Sequence, residues 1–324
     1  MSNKRIIALV LAVVIVIGGI VMSSISAIVS NAFTESDTYM YGEVPEKEGD
    51  PTQRIAHFSL EGEIVEGGGG FMGDGYNHTE FLEQLDNVKN DGTVKGVLLT
   101  VDTPGGSTYA SDEIYQKIKE IKHKGKKIYV QMKTMAASGG YYISAPADKI
   151  YAGPQTTTGS IGVIMSNTDY TGLQEKLGIK ENVFKSGEHK DILSSSRKMT
   201  QEERNIMQSI IDDSFDRFVN IVKDGRNMNE KKVRELADGR IYTAQQAKSN
   251  GLIDEIGYED DVIKGLSKEI KVEEPEVFEY DASGSFFTLF NVKSTVQGLK
   301  SDVRAIKSVI TNDTQAKPMY LYEG

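Results

Sequence analysis

A run with strand character, Lys127-Ile128-Tyr129-Val130-Gln131-Met132, leads into Met135-Ala136-Ala137-Ser138-Gly139-Gly140-Tyr141-Tyr142, and this junction constrains the chain more than any other stretch. One serine is fenced by small residues and followed by two glycines. Glycine lets a backbone pass close to a substrate and take torsions that other residues avoid. A helix starting at Gly139 would aim free N–H groups at a developing negative charge. The layout is that of an acyl-transfer site at the end of a strand.

The pattern around this junction alternates. Phe81, Leu82, Leu85 and Val88 fall on one helix face, a strand follows at Val97, a helix at Ile114 and a strand again at Ile128. Parallel strands joined by right-handed crossovers put their carboxyl ends on one side. The strand Val97-Leu98-Leu99-Thr100-Val101 ends at Asp102-Thr103-Pro104-Gly105-Gly106-Ser107, so that Gly-rich turn and Ser138 are expected to converge. Further along, residues 149–152 and 183–185 read as short strands. Thr200 and Glu203 form a capping box. The helix it opens carries Ile206, Met207, Ile210, Ile211, Phe215, Phe218, Val219 and Val222, too broad an apolar face for a lone surface helix, so it is expected to pack on the core and on a neighbour.

Downstream lies Lys185-Ser186-Gly187-Glu188-His189-Lys190-Asp191. With Asp102-Thr103-Pro104-Gly105-Gly106, the Ser138 motif, Thr158-Gly159-Ser160-Ile161-Gly162-Val163 and Asp238-Gly239-Arg240-Ile241-Tyr242-Thr243, it makes five motifs in one order. From about Arg54 to Gly257 the chain resembles the signal peptide peptidase A family, membrane-bound serine peptidases with a Ser/Lys dyad. Thr103 stands where many relatives carry serine. The resemblance implies an α/β fold of the ClpP/crotonase-like kind, a superhelix of repeated ββα units.

A serine hydroxyl needs a base to take its proton as it attacks. His189 and Lys190 are adjacent, and in extended chain neighbouring side chains point to opposite sides, so only one is expected to face Ser138. Histidine is the default base, with a pKa near neutrality. Carried over position by position, the resemblance points instead to Lys190, with Ser160 as the second serine that orients the amine. A free lysine, with a pKa of about 10.4, is neutral only about once in 2,500 at pH 7, a deficit of roughly 4.6 kcal/mol. Lys190 is therefore expected in an apolar, enclosed place. Gly139 and Gly105 are the expected oxyanion donors, with Gly106 as substitute for the second. Met132, Met135, Ile161 and Val163 are candidates for pocket walls.

With 39% hydrophobic and 26% charged residues in 324, the chain supports one sizeable domain with terminal extras. A net charge of −10 argues against nucleic acid as a partner. The lysines between 117 and 127 alternate with Ile118 and Ile121 and read as a solvated helix face. There is no cysteine, hence no disulfide and no thiolate, and the four histidines lack ligand spacing, so no metal is expected; hydrolysis by a serine nucleophile needs no cofactor.

Lys4-Arg5 is followed by an apolar run over residues 6–22, and no further charge appears until Glu35. That length suits a single transmembrane span better than a secretory core, although Ser30-Asn31-Ala32 could be a cleavage site. The positive-inside rule then keeps the amino terminus cytoplasmic and sends the catalytic bulk across the cell membrane. The expected organisation is a cytoplasmic tip at 1–5, an anchor at 6–30, a stalk at 31–53, a peptidase domain at 54–270 and an extension at 271–324. The glycines from Gly67 to Gly70 read as a surface loop with no phosphate role.

Membership would make the protein a membrane-anchored endopeptidase acting on remnant signal peptides. It would also imply a homo-oligomeric ring, with Ser138 of one subunit meeting Lys190 of the next. A crotonase-like acyl-CoA enzyme and a non-catalytic membrane scaffold are the rival readings.

Overall fold

The computed structural model describes residues 42–67, 76–281 and 318–322. In chain order the elements are β1 (Gly42–Lys47), β2 (Asp50–Glu61), α1 (His78–Asn90), β3 (Val94–Thr103), β4 (Gly105–Ser107), α2 (Thr108–His123), β5 (Lys127–Ala137) and α3 (Gly139–Ser144). There follow β6 (Lys149–Ala152), β7 (Thr157–Gly159), α4 (Thr171–Leu177), α5 (Gln201–Gly225), α6 (Glu230–Leu236), β8 (Ile241–Thr243), α7 (Ala244–Asn250), β9 (Glu255–Ile256), α8 (Glu259–Ile270), β10 (Pro275–Asp281) and β11 (Met319–Leu321). The anchor segment and the Gly68–Gly70 part of the glycine loop lie outside the described residues. Among the described residues no helix is long and apolar enough to cross a membrane.

The main sheet runs β1-β10-β2-β3-β5-β6-β9, and β10, β2, β3, β5, β6 and β9 pair in parallel. Such strands bury both faces and so read as continuous apolar runs, as Val97 to Val101 does. One face is covered by Phe81, Leu85 and Val88 of α1 and by Ile114, Ile118 and Ile121 of α2. The other carries Leu98, Tyr129 and Tyr151 under Val262 and Leu266 of α8. Burying each such aliphatic side chain contributes about 1.5–3 kcal/mol as an upper estimate.

The mixed α/β architecture matches expectation, but its edges do not. The sheet begins at Gly42, inside the stretch read as stalk, and β10 adds a parallel strand beside β2 beyond residue 270. Residues 183–185 form no strand, and Phe184 is 96% exposed. They belong to an arm: no residue from 162 to 202 is buried, and α4 has no buried residue at all. The apolar run there has no sheet edge to join, so local propensity had nothing to act on. In α5 only the carboxyl half, with Phe218, Val219, Ile221 and Val222, is seated in the core, while Ile210 is 40% exposed. The lysine run is solvated at Lys119 and Lys124, while Lys117 is half-buried and pairs with Asp86 at 2.5 Å. Lys126, by contrast, is buried, and its ammonium donates to the carbonyls of Asp91 and Val94.

Candidate active site

Three strand ends meet at one rim of the sheet. Strand β5 passes Val101↔Met132 in register with β3 and resumes at Thr103↔Ala136, which leaves extra residues on β5 as a bulge. The bulge is held by Asp102, whose carboxylate accepts from the Met135 amide at 2.9 Å. Sequence reading missed Asp102 as an organiser, because the bulge it stabilises is a tertiary feature.

Ser138 follows the last residue of β5 and caps α3 with φ +52°, a region that non-glycine residues enter at a cost of about 1–3 kcal/mol. Two hydrogen bonds hold it there: its amide donates to Gly159 O at 2.8 Å, and its carbonyl accepts from the Tyr142 amide at 2.9 Å. Strand β7 runs parallel to β5 with Ala137↔Gly159, so Ser160 lies beside Ser138. Ser160 also has a positive φ of 49°, fixed by its amide donating to Arg240 O at 2.8 Å. Both serines are buried. The fold thus brings Ser138 and Ser160 together through strand register, a relation invisible in two motifs read separately.

The glycines close the other wall. A Cβ on Gly139 would lie 3.1 Å from Gly105 Cα, 3.2 Å from Gly106 N and 2.8 Å from Ser111 Oγ. The two turns are therefore packed backbone to backbone, which only glycine allows. Gly105, at φ +105°, donates its amide to Thr103 Oγ1 at 3.0 Å. That bond commits the amide of Gly105 to its own turn, while Gly106 stands opposite Tyr320 in the β4–β11 pairing. Ser111 has a fully buried hydroxyl with no hydrogen-bond partner among the described residues, and nothing in its sequence pattern marked it.

The groove beside these groups already holds an extended peptide. Strand β11 pairs antiparallel with β4, Met319↔Ser107, Tyr320↔Gly106 and Leu321↔Gly105, and the Tyr322 amide donates to Pro104 O at 2.9 Å. On its other side Met319 exchanges backbone hydrogen bonds of 2.9 and 3.0 Å with Ile164. Tyr320 is 1% exposed, stacks on Tyr142 with ring centroids 4.6 Å apart, meets Phe218 at 4.9 Å and donates from its hydroxyl to Ser214 O at 3.0 Å. A cavity of about 530 Å³, lined by Ser160, Val163, Ile211, Phe215 and Leu321 among others, continues the groove. Of the four expected wall residues, Val163 lines it, whereas Met132 and Ile161 are buried in the core.

Lys190 stands elsewhere. It is exposed, in a series of tight turns on the arm, and its backbone amide donates to Gly187 O at 3.3 Å. The enclosed, apolar setting expected of a lysine base is not found within one chain, because nothing in the arm packs over it. His189 faces the first turn of α5, with Nδ1 3.8 Å from Glu203 and Nε2 3.8 Å from Glu202. No group of side chains able to hold a metal occurs among the described residues.

Comparison with known proteins places this geometry in context. The profile of Peptidase family S49 matches residues 120–273. A protein of Enterococcus faecium, named provisionally as a signal peptide peptidase SppA, is 44% identical over 288 residues, covering 86% of this chain and 83% of that protein. Protease 4 of Haemophilus influenzae is 32% identical over 251 residues, 78% of this chain but only 40% of that protein. Among solved structures, a ClpP1 point mutant from Listeria monocytogenes overlaps with a TM-score of 0.41 at 20% identity, over 65% of this chain and 94% of that one.

Proposed function

The chain belongs to peptidase family S49, the signal peptide peptidase A family, and is a serine peptidase; on that premise we propose that Ser138 is its nucleophile, Lys190 of a neighbouring subunit its base, and remnant signal peptides its substrates at the membrane. The observation that carries this reading is the contrast between the two residues. Ser138 is buried at a strained strand end beside two glycine turns, while Lys190 is exposed on an arm with no buried residue. A second copy supplies both the missing base and the cover for the arm, where Leu173, Leu177, Ile179, Val183 and Phe184 are left exposed. The half-open amino-terminal part of α5 offers a further contact surface. A ring with cyclic symmetry satisfies every site alike. The ClpP/crotonase-like form of the fold follows from the same family reading.

In the proposed chemistry, Ser138 Oγ attacks the scissile carbonyl carbon as its proton passes to the neutral amine of Lys190. The carbonyl oxygen becomes an oxyanion received by the amides of Gly139 and Gly106, each donor contributing about 2.7–4 kcal/mol. Collapse breaks the C–N bond, and the lysine ammonium gives its proton to the leaving amine. Water, deprotonated by the same lysine, then hydrolyses the acyl-enzyme and returns Ser138 to its hydroxyl form. Ser160 orients the amine from beside Ser138. The β4 edge, which takes β11 in antiparallel register, is suited to binding an extended substrate in the same way. The apolar run at residues 6–22 would anchor the site beside the bilayer, with the catalytic domain outside the cytoplasm.

The test uses full-length Ser138→Ala, Lys190→Ala and His189→Ala proteins and a fluorogenic peptide. The first two are expected to be inactive and the third active. Inactive Ser138→Ala and Lys190→Ala subunits, unfolded and reassembled together, are expected to regain partial activity. A demonstrably mixed oligomer without recovery would place both residues in one subunit; an active Lys190→Ala would remove lysine as the base.

A further inference from the structure

Asp191 directly follows Lys190, and both oxygens of its carboxylate are engaged. Arg197 donates from Nε to Oδ2 at 3.0 Å and from Nη2 to Oδ1 at 2.7 Å, and Lys185 Nζ reaches Oδ1 at 2.6 Å. Arg197 Nη2 also holds the Asp191 carbonyl at 3.1 Å. The other edge of the guanidinium binds Glu203, Nη2 to Oε1 at 2.5 Å and Nη1 to Oε2 at 2.8 Å. Glu203 is buried, accepts from the Thr200 amide at 2.8 Å and belongs to the first turn of α5, whose far end is seated in the core. One arginine thus ties the residue after Lys190 to a helix rooted in the domain.

We propose that Arg197 is a positioning residue that sequesters the Asp191 carboxylate from Lys190, leaving the amine free to take the serine's proton. The inference rests on Lys190 as the base, as proposed above.

The charged groups facing this cluster are Lys185, Glu188, His189 and Asp191 on the loop, Arg197 and Lys198 after it, and Glu202 and Glu203 on α5. Glu188 contributes its carbonyl to Lys185 Nζ at 2.7 Å, and Lys198 its carbonyl to Arg197 Nη1 at 3.3 Å. The hydrogen bonds from Arg197 and Lys185 hold the Asp191 carboxyl well below the usual carboxylate range, so it is charged throughout the neutral range. Two carboxylates, Asp191 and Glu203, are balanced by two cations, Arg197 and Lys185. Without Arg197 the carboxylate that follows Lys190 in the chain loses one of its two cations and becomes free to turn to the lysine. A carboxylate paired with the amine favours the ammonium form, and an ammonium has no lone pair with which to take the serine's proton.

The experiment measures kcat/KM against pH for the assembled, full-length protein. In Arg197→Gln the rising limb is expected to move to higher pH by about one unit or more, with KM changed little. Adding Asp191→Asn to Arg197→Gln is expected to bring the limb back, and Arg197→Lys, which keeps the charge, is expected to leave it in place. An unmoved limb in Arg197→Gln while Lys190→Ala is inactive would overturn the inference and spare the dyad; an active Lys190→Ala would overturn the dyad itself, and the inference with it. If Arg197→Gln fails to assemble, Asp191→Asn alone decides. Activity near wild type supports sequestration, and a loss as deep as that of Lys190→Ala overturns it.

Discussion

Replacing Tyr320 with alanine should open the groove. The ring is buried between Tyr142 and Phe218, and its hydroxyl donates to Ser214 O, so the truncation removes stacking, area and one buried hydrogen bond together. Truncating a large buried aromatic costs about 3–5 kcal/mol. Here most of that cost falls on the attachment of β11 to β4, because Tyr320 is the buried residue of the strand, flanked by the half-exposed Met319 and Leu321. At about 1.4 kcal/mol per tenfold, the detached state should gain by a factor of about 10² to 10³. Hydrogen exchange at the Met319 and Tyr322 amides, bonded to Ile164 and Pro104, reads the opening directly. Hydrolysis of a peptide substrate should accelerate in parallel, up to the limit at which the edge is always free. Unchanged exchange at those amides in Tyr320→Ala would refute the argument that this ring holds the strand. Faster exchange with unchanged hydrolysis would show that β11 does not lie where substrate binds.

Gly105→Ala would put a Cβ 1.9 Å from Tyr320 O and 2.6 Å from Gly139 N at a φ of +105°, so it is expected to displace the Gly139 amide and lower kcat by about 10²-fold or more, as loss of that proposed oxyanion donor would, and a wild-type kcat would deny the close packing of the two turns. Gly139→Ala, crowded by Gly105, Gly106 and Ser111, should be at least as damaging in the same assay. Acid should loosen the arm. Glu203 is held at about 2, chiefly by its hydrogen bond from Arg197, against an ordinary 4.5, so the stability it contributes is present above pH 4.5 and is lost as pH falls toward 2; limited proteolysis across that window should cut the arm first, and in Glu203→Gln the added susceptibility should depend less on pH, the remainder coming from Asp191, which the same arginine holds low.

The site's ingredients could be read in the chain because they are local. The turn proposed to carry the nucleophile needs small residues and glycine within a few positions, and a capping box needs Thr200 and Glu203 three apart, so the turn at Ser138 and Gly139 and the start of α5 can be seen in the chain alone. Continuous apolar runs mark the parallel strands for the same reason, since a strand buried on both faces has no polar side to show. What the sequence could not decide is which residues meet. Ser160 lies beside Ser138 only through the register of β7 on β5. The amide of Gly105 is lost to Thr103 only because the turn folds back on itself. Arg197 finds Asp191 and Glu203 at spacings that match neither helix nor strand. The exposure of Lys190 is likewise a tertiary result, for a buried and a solvated lysine are written with the same letter. Residues 319–322 are, as sequence, only a short apolar tail after a polar run. Yet β11 becomes ordered against β4, because backbone hydrogen bonding and a pocket for one aromatic ring are offered by residues about two hundred positions away in the chain.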